Sequence, residues 1–574
     1  MKRNDVFKKL LPFLLIVTLT LSLFACNKAD TERAFDSATI SSGDEREVAP
    51  AKREIADDDF LTANGKYLVN KNGEKVVLQG VNLGGWLHME GWMDGGGYSE
   101  TLNDFVNHYA VVSALKKRFS DEQTESLLET YQKNYIQRSD LEFIASLGLN
   151  YVRIPFFWTE ILDFDGNVKE NAFDQLDWAI EECSGLGIYV VLDLHGSVGG
   201  HSNGCLTGGH SGSNELWTSE DCRLKTEKIW RAVAERYKDE PAVAGYDLLN
   251  EPMPPENSPI STNDMYDRFY KVVREVDEKH VIIVEAFYYY TDLSSPADNG
   301  WENVLYEVHF YEDSDKTPDR QRDFVNWIIA DMLSHREEYK VPMLFGEYNF
   351  WTGEDAWRTC MHTLTANGIS WSSWAYKNVD KTKDNNWGYF YNADVEIVDY
   401  ENDSFETIAK KWAGYSTDNY EKNEFLTEII KECAGEGFSE PENEIEFGGV
   451  FAQAYRTNGG EPLINVFDGD PLSRWSNGEP QKNNGEQFIS INFGETVSLG
   501  GILLYTPNPD VAKIIAIYYK KQNGAWKLLK KAECVIGNTV IRFTPVEADA
   551  VKIVNESESE NRFWSIYELR FLSE

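Results

Sequence analysis

The stretch NYVRIPFFWTEILDFDGNVKENAFDQLDWAIEECSGLGIYVVLDLH, residues 150–195, decides the fold. It opens on one short apolar run, NYVRIPF, and closes on another, IYVVLDLH, each of strand length. Between them FDQLDWAIEECSGLG places apolar residues at spacings of three and four and ends in Gly, the period and stop signal of a crossover helix. A strand, a helix and a second strand in this order make the two strands parallel neighbours. Similar apolar runs recur outward from this unit as VVLQGVNLGG, VAGYDLLNEP, VIIVEAF, VLYEVHFY, VPMLFGEY and GISWSSWAYK, giving eight. Helical patterns such as TEKIWRAVAERYKD and MYDRFYKVVREVDEKH lie between them. Eight strand–helix units predict an α/β fold, a (β/α)8 TIM barrel over residues 59–435, with a doubly wound open sheet as the alternative.

In a barrel, side chains that finish strands at the C-terminal face converge on one site, whichever strands carry them. The expected strand ends are Arg153, His195, Asn250 with Glu251, His309 with Tyr311, Glu347 and Trp374. Two carboxylates facing one another suit cleavage of a glycosidic bond, which needs a proton for the leaving oxygen and negative charge for an oxocarbenium-like centre. One carboxyl must then be protonated and the other ionised. Arg153 and a Tyr hydroxyl would stabilise the Glu347 anion, whereas Glu251, beside an apolar strand end, is expected to have its pKa raised by desolvation and by the neighbouring charge. The reading requires Glu251 and Glu347 to stand roughly 5 to 5.5 Å apart. Asp193, Asp247, Glu285 and Glu307 also lie in strands, and their expected place is in polar barrel layers. His195 and His309 lack a third partner at ligand spacing, so no metal site is expected. Trp86, Trp92, Phe157, Trp158, Tyr288, Tyr289, Trp351 and Trp387 divide between core packing and stacking on sugar faces.

The bulk properties fit a neutral substrate. The 574 residues carry a formal net charge of -40, which repels nucleic acid and anionic membrane surfaces, and the chain is too long for one ordinary core. The first residues, MKRNDVFKKLLPFLLIVTLTLSLFAC, have the basic, apolar and small-residue order of an export signal. LFAC resembles a bacterial lipobox, which implies removal of residues 1–25 and lipid attachment to Cys26, hence an exported cell-envelope lipoprotein held to the membrane only by that anchor. Residues 26–58 are polar and charged and read as a flexible tether. Of the remaining cysteines, only Cys205 and Cys222 share a Gly-rich segment where a local bridge is expected. SEPENEIEFGG marks an acidic linker over 436–446. Beyond it QFISINFG, GGILLYTP, KIIAIYYKK and AVKIVNE alternate as short strands with turn signals and no helix, the pattern of an all-β sandwich over 447–574.

The motifs GVNLGGWLHMEGW, GLNYVRIPFFW, VVLDLHGSVGGHSNG, GYDLLNEP, VLYEVHFY, MLFGEY and SSWAYK together resemble glycoside hydrolase family 5, across nearly all of residues 75 to 380. The resemblance implies Glu251 as acid/base and Glu347 as nucleophile of a retaining mechanism, with Arg153 and Tyr311 orienting Glu347. It further implies that His195, Asn250 and His309 hold the sugar and the carboxylates, and that Trp374 floors the subsite at the cleaved bond. Within the family, GVNLGGWL followed by DLHGSVGGHSNG looks most like the exo-β-1,3-glucanase branch. A cellulase-like or mannanase-like endo specificity and a glycolipid β-glucosidase are the alternatives, and a non-catalytic surface glycan-binding lipoprotein is the alternative from another class. NVFDGDPLSRWSNG and NRFWSIYELRF resemble the opening and closing motifs of discoidin-like, F5/8 type C sandwiches of the family 32 carbohydrate-binding modules. That likeness implies a jelly-roll that keeps the enzyme on its β-glucan, with Asp470 and Glu568 as candidate ligands of a structural calcium. No other cofactor is expected, and the protein is expected to be a monomer.

Overall fold

The computed structural model describes residues 54–573 apart from 94–97, 100–103, 203–212, 287–292, 380–384, 393, 436–442, 446–450 and 522–523. The signal and lipidation sequence with Cys26, most of the tether, Cys205, Tyr288, Tyr289 and nearly all of the linker lie outside the described residues.

Eight parallel strands close into a barrel: β1 (Gln79–Asn82), β2 (Tyr151–Phe157), β3 (Tyr189–Gly196), β4 (Val243–Asp247), β5 (Val281–Ala286), β6 (Val304–Tyr311), β7 (Met343–Asn349) and β8 (Ser370–Ser373). Each pairs with the next, and β8 closes on β1 with Trp371 opposite Gln79. Nearly every strand residue is buried because helices cover the outside, which is why the strands read as unbroken apolar runs rather than alternating ones. Three helices, α1 (His108–Arg118), α2 (Asp121–Tyr135) and α3 (Arg138–Ser146), fill the long passage from β1 to β2. The later crossovers use α4 (Asp174–Gly185), α5 (Glu220–Tyr237), α6 (Thr262–Arg274), α7 (Pro318–Tyr339) and α8 (Glu354–Ala366). Serines start three of the helices by accepting an orphan N–H: Ser120 from Gln123, Ser219 from Cys222 and Ser261 from Asp264. Two further helices, Phe405–Ala413 and Glu424–Cys433, pack on the barrel after β8, Trp412 of the first lying against Tyr131 of α2.

The C-terminal part is built from sheets around its own core. A six-stranded antiparallel sheet centres on the two long strands Phe488–Thr506 and Gly537–Asn555, and a two-stranded sheet pairs Trp475–Gln481 with Ser559–Ile566. In that core Trp475 meets Trp564 of the two-stranded sheet edge to face at 5.1 Å, and Phe493 meets Phe571 of the six-stranded sheet at 5.0 Å. The expected absence of helix is relieved only by a single-turn 3-10 segment, Leu463–Phe467, among the described residues. No helix of the described residues is long and apolar enough to cross a membrane. Cys183, Cys222, Cys360, Cys433 and Cys534 are buried, and the expected Cys205–Cys222 bridge lies outside the described residues.

Candidate active site

The site starts from a layer of charge inside the barrel. Arg153 points inward from β2 and is wholly buried. It lies near the start of its strand, not at the end where the sequence reading placed it, and the length of the side chain carries its guanidinium up to the mouth. Its Nη2 donates to Asp247 Oδ2 at 2.7 Å and to Asn250 Oδ1 at 3.0 Å, and its Nη1 donates to Glu347 Oε1 at 3.0 Å. Asp193 at 3.1 Å, Glu307 at 3.4 Å and Glu285 at 3.9 Å complete the ring around one cation. These four inner acids occupy the polar barrel layer, as their strand positions predict. A charge this deep persists only when paired and hydrogen-bonded.

Glu347 lies two residues before the end of β7 beside His309 of β6, its direct partner in the sheet. A register shift at Val308 and His309 bulges the ladder there and aims both side chains into the mouth. Tyr311, two residues on, donates its hydroxyl to Glu347 Oε2 at 2.8 Å. Asn250 and Glu251 come from beyond β4, which stops at Asp247, so this run ends sooner than its apolar pattern suggests. Glu251 adopts a left-handed backbone with φ 45, rare for a non-glycine residue, and Pro252 follows it. His309 Nδ1 lies 3.1 Å from Glu251 Oε1 and 3.5 Å from Glu347 Oε1. One oxygen of each carboxylate and one His309 nitrogen all lie within 4.8 Å of one another. Oxygens this close suit the ~5–5.5 Å class of paired carboxyls better than the ~6.5–9.5 Å class that leaves room for a water between them.

The electrostatics depart from the sequence reading. Glu347 is the more buried acid, with 6% of its side chain exposed against 27% for Glu251. Burial raises the Glu347 carboxyl above the ordinary range and Glu251 adds to this, while His309, Arg153 and His195 pull it back. Burial disfavours a charged His309, but Glu285, Glu347, Glu251 and Glu307 outweigh it and hold the imidazole well above its usual range. His195 follows the same logic: burial opposes its charge, and Asp193, Glu90 and Glu347 raise it to about 10. Two carboxyls and two histidines in one pocket can exchange protons with a substrate oxygen and can stabilise charge developing beside it.

Trp374 caps β8 and is 4% exposed. It stacks on His195 at 5.3 Å, and Gly84 makes room for it, since a Cβ there would meet the indole at 2.8 Å. Trp92 and Trp387 face one another at 5.2 Å, and Trp387 also meets Tyr311 at 5.5 Å and Trp351 at 4.9 Å, an aromatic group beside Glu347. Trp86, Phe157 and Trp158 are buried in the core instead.

Two residues at the site escaped the sequence reading. Glu90 is 2% exposed and accepts from Trp92 Nε1 at 2.6 Å, with its other oxygen 3.6 Å from His195 Nε2. The signal for it was its place in the WLHMEGW motif. His201 donates from Nε2 to the carbonyl of Asn250 and accepts at Nδ1 from Ser197 Oγ at 2.9 Å, which pins the turn carrying Glu251. It sits in a long Gly-rich loop with no periodicity that could mark it.

The cellulase (glycosyl hydrolase family 5) model matches residues 112–380, and the F5/8 type C domain model matches residues 451–569. Over 257 residues the chain is 31% identical to a beta-xylosidase of Phanerodontia chrysosporium, an alignment covering 44% of this chain and 52% of that protein. The chain thus spans about half the length of that relative. Over 312 residues it is 30% identical to the probable glucan 1,3-beta-glucosidase A of Aspergillus fumigatus, covering 51% of this chain and 69% of that one. The crystal structure of endoglucanase Cel5A from Thermotoga maritima superposes with a TM-score of 0.39 at 19% identity, covering 62% of this chain and 96% of that one.

Proposed function

We propose, for a chain that belongs to glycosyl hydrolase family 5, that it is a retaining β-glucan hydrolase with Glu347 as nucleophile and Glu251 as acid/base. The observation that carries this is the meeting of Glu251, Glu347 and His309 within 4.8 Å at the barrel mouth. In the first step a Glu347 oxygen attacks the anomeric carbon while Glu251 gives its proton to the departing glycosidic oxygen. In the second, Glu251 takes a proton from water, which displaces Glu347 from the same carbon, so the anomeric configuration is kept. Arg153 and Tyr311 hold Glu347 in line for attack and receive its charge when it departs. His195 and Asn250 face the sugar hydroxyls, and Trp374 carries the apolar face of the ring.

The curated glucan 1,3-beta-glucosidase relatives support a β-1,3-glucan cleaved from chain ends, and the beta-xylosidase makes xylosides the comparison substrate. Incubation with laminarin, aryl β-glucosides and aryl β-xylosides, with anomers followed by NMR, tests the reading. Release of β-glucose as the first-formed anomer is the expected result. Glu347→Gln should cost ~10³-fold or more in kcat/KM. Inverted product, or undiminished activity in that variant, refutes the mechanism.

The sandwich would serve as a glycan tether that raises the local substrate concentration. A calcium ion there is supported by Glu568, which is buried with Oε1 lacking a hydrogen-bond partner, and by Asp468 and Asp470, which bear on it electrostatically. Asp470 and Glu568 would hold the ion, which prefers such an all-oxygen set and would supply structural charge neutralisation. The N-terminal segment would place the protein at the cell envelope, lipid-linked at Cys26. Detergent-phase partition of the full-length protein, lost in Cys26→Ser, is the expected behaviour.

A further inference from the structure

Glu285 lies in β5, wholly buried, and plays no part in the chemistry above. Its position is fixed at both ends. Its backbone N–H donates to the Tyr266 hydroxyl at 3.0 Å, and that hydroxyl donates back toward the Glu285 carbonyl at 2.9 Å and the Leu249 carbonyl at 3.2 Å. At the other end the Glu285 Oε2 accepts the backbone N–H of Glu251 at 2.8 Å. Glu251 is the residue at the site with the left-handed backbone, so this bond falls on the N–H of that conformation. The second oxygen, Oε1, stands 3.3 Å from His309 Nδ1, which also faces Glu251 Oε1 at 3.1 Å. His309 is kept from turning by Glu307, 3.1 Å from Nε2. One side chain therefore touches both the backbone and, through the imidazole, the carboxyl of Glu251.

A carboxylate oxygen is an unusual acceptor for a buried loop N–H when a main-chain carbonyl would serve without the cost of burying an acid. It has the advantage of reach. The chain after β4 leaves the sheet at Asp247, and an acceptor at the level of residue 251 must extend upward from the neighbouring strand.

We propose that Glu285 is a positioning residue for the acid/base Glu251: by accepting its N–H it holds the left-handed turn that presents the Glu251 carboxyl to the leaving oxygen. This rests on the retaining-hydrolase reading. Glu285 touches no substrate. Its loss should slow proton delivery far more than attack by Glu347, which Arg153 and Tyr311 bond directly.

The test compares kcat/KM for p-nitrophenyl β-glucoside, whose leaving group needs protonation, with that for 2,4-dinitrophenyl β-glucoside, whose leaving group does not. Glu285→Met and Glu285→Ala, which cannot accept the N–H, should lose ~100-fold on the first and no more than ~10-fold on the second. Glu285→Gln keeps an acceptor oxygen and should stay within ~10-fold of the parent on both. Melting curves establish that each variant is folded, and if the Met and Ala variants are not, the Gln variant carries the test by losing more on the first glucoside than on the second. Equal losses on the two glucosides, no loss on either, or a Gln variant as impaired on the first substrate as the Met variant overturns the proposal. Absence of turnover of both glucosides by the unaltered protein overturns the hydrolase reading, and this proposal with it.

Discussion

Gly346, next to Glu347, is bare for a reason that lies on the adjoining strand β6: a Cβ there would stand 1.5 Å from Glu307 Oε1. Glu307 has nowhere to retreat, since His309 Nε2 and the Arg153 guanidinium hold the same oxygen. Gly346→Ala should therefore destabilise the fold by about 1–3 kcal/mol, the usual cost of overpacking, and depress turnover along with it; urea denaturation measures the first. His201 gives a pH signature. Burial lowers its imidazole from 6.5 to about 4, with the Asn250 carbonyl partly opposing, so the native protein prefers it neutral. Its contribution is complete above pH 6.5 and is lost as pH falls through about 4, because the unfolded chain gains the proton first. Melting temperature should decline over that interval, and His201→Gln should flatten the decline. A melting curve for His201→Gln that keeps the full pH dependence would show that other groups cause it.

At the scale of elements, the site depends on how strands stop. Gly84 and Gly85 follow just beyond the end of β1, and the absent Gly84 side chain leaves room for the Trp374 ring that follows β8. Gly84→Ala should displace that ring and lower kcat/KM for aryl glucosides ~10-fold, with little change in melting temperature; steady-state kinetics beside a melting curve separates the two effects. The bulge between β6 and β7 does similar work for His309 and Glu347, which an unbroken ladder would not bring into the same pair. The strand after Val243 was read as running through Pro252, yet it stops five residues earlier. Apolar character persists in Leu248 and Leu249 because they are buried, not because they are in a sheet. Composition reports burial, and only hydrogen bonding distinguishes strand from packed loop.

At the scale of the molecule, the residues from Lys52 onward form one compact unit. The sandwich is fastened to α8 of the barrel by a buried Tyr505 to Thr363 hydroxyl bond of 2.7 Å and by the Arg562–Asp355 ion pair at 3.0 Å. Its pH response should come from Glu568. Burial, helped by Asp468 and Asp470 and opposed by Arg570, raises this carboxyl to about 7 from 4.5. The native state keeps a proton that the unfolded chain loses near pH 4.5, so the stabilisation is complete below that value and disappears as pH climbs through about 7. With chelator present, the melting temperature should fall across this window, and calcium should restore it at neutral pH. Identical curves with chelator and with calcium would eliminate the proposed ion.

The sequence by itself determined the barrel, the sandwich and the identities of the residues at the mouth. Those follow from local periodicity: runs such as IYVVLDLH and helical patterns such as FDQLDWAIEECSGLG repeat a short-range signal that solvent exclusion enforces wherever they occur. Only the tertiary structure decided which acid is the more buried, that Arg153 reaches the mouth from deep in its strand, and that Glu90, His201 and Glu285 converge on the same pocket. Desolvation and hydrogen-bond partners are properties of neighbours supplied by other strands. Glu285 stands 34 positions along the chain from the N–H it accepts, and no pattern read along one segment contains that distance.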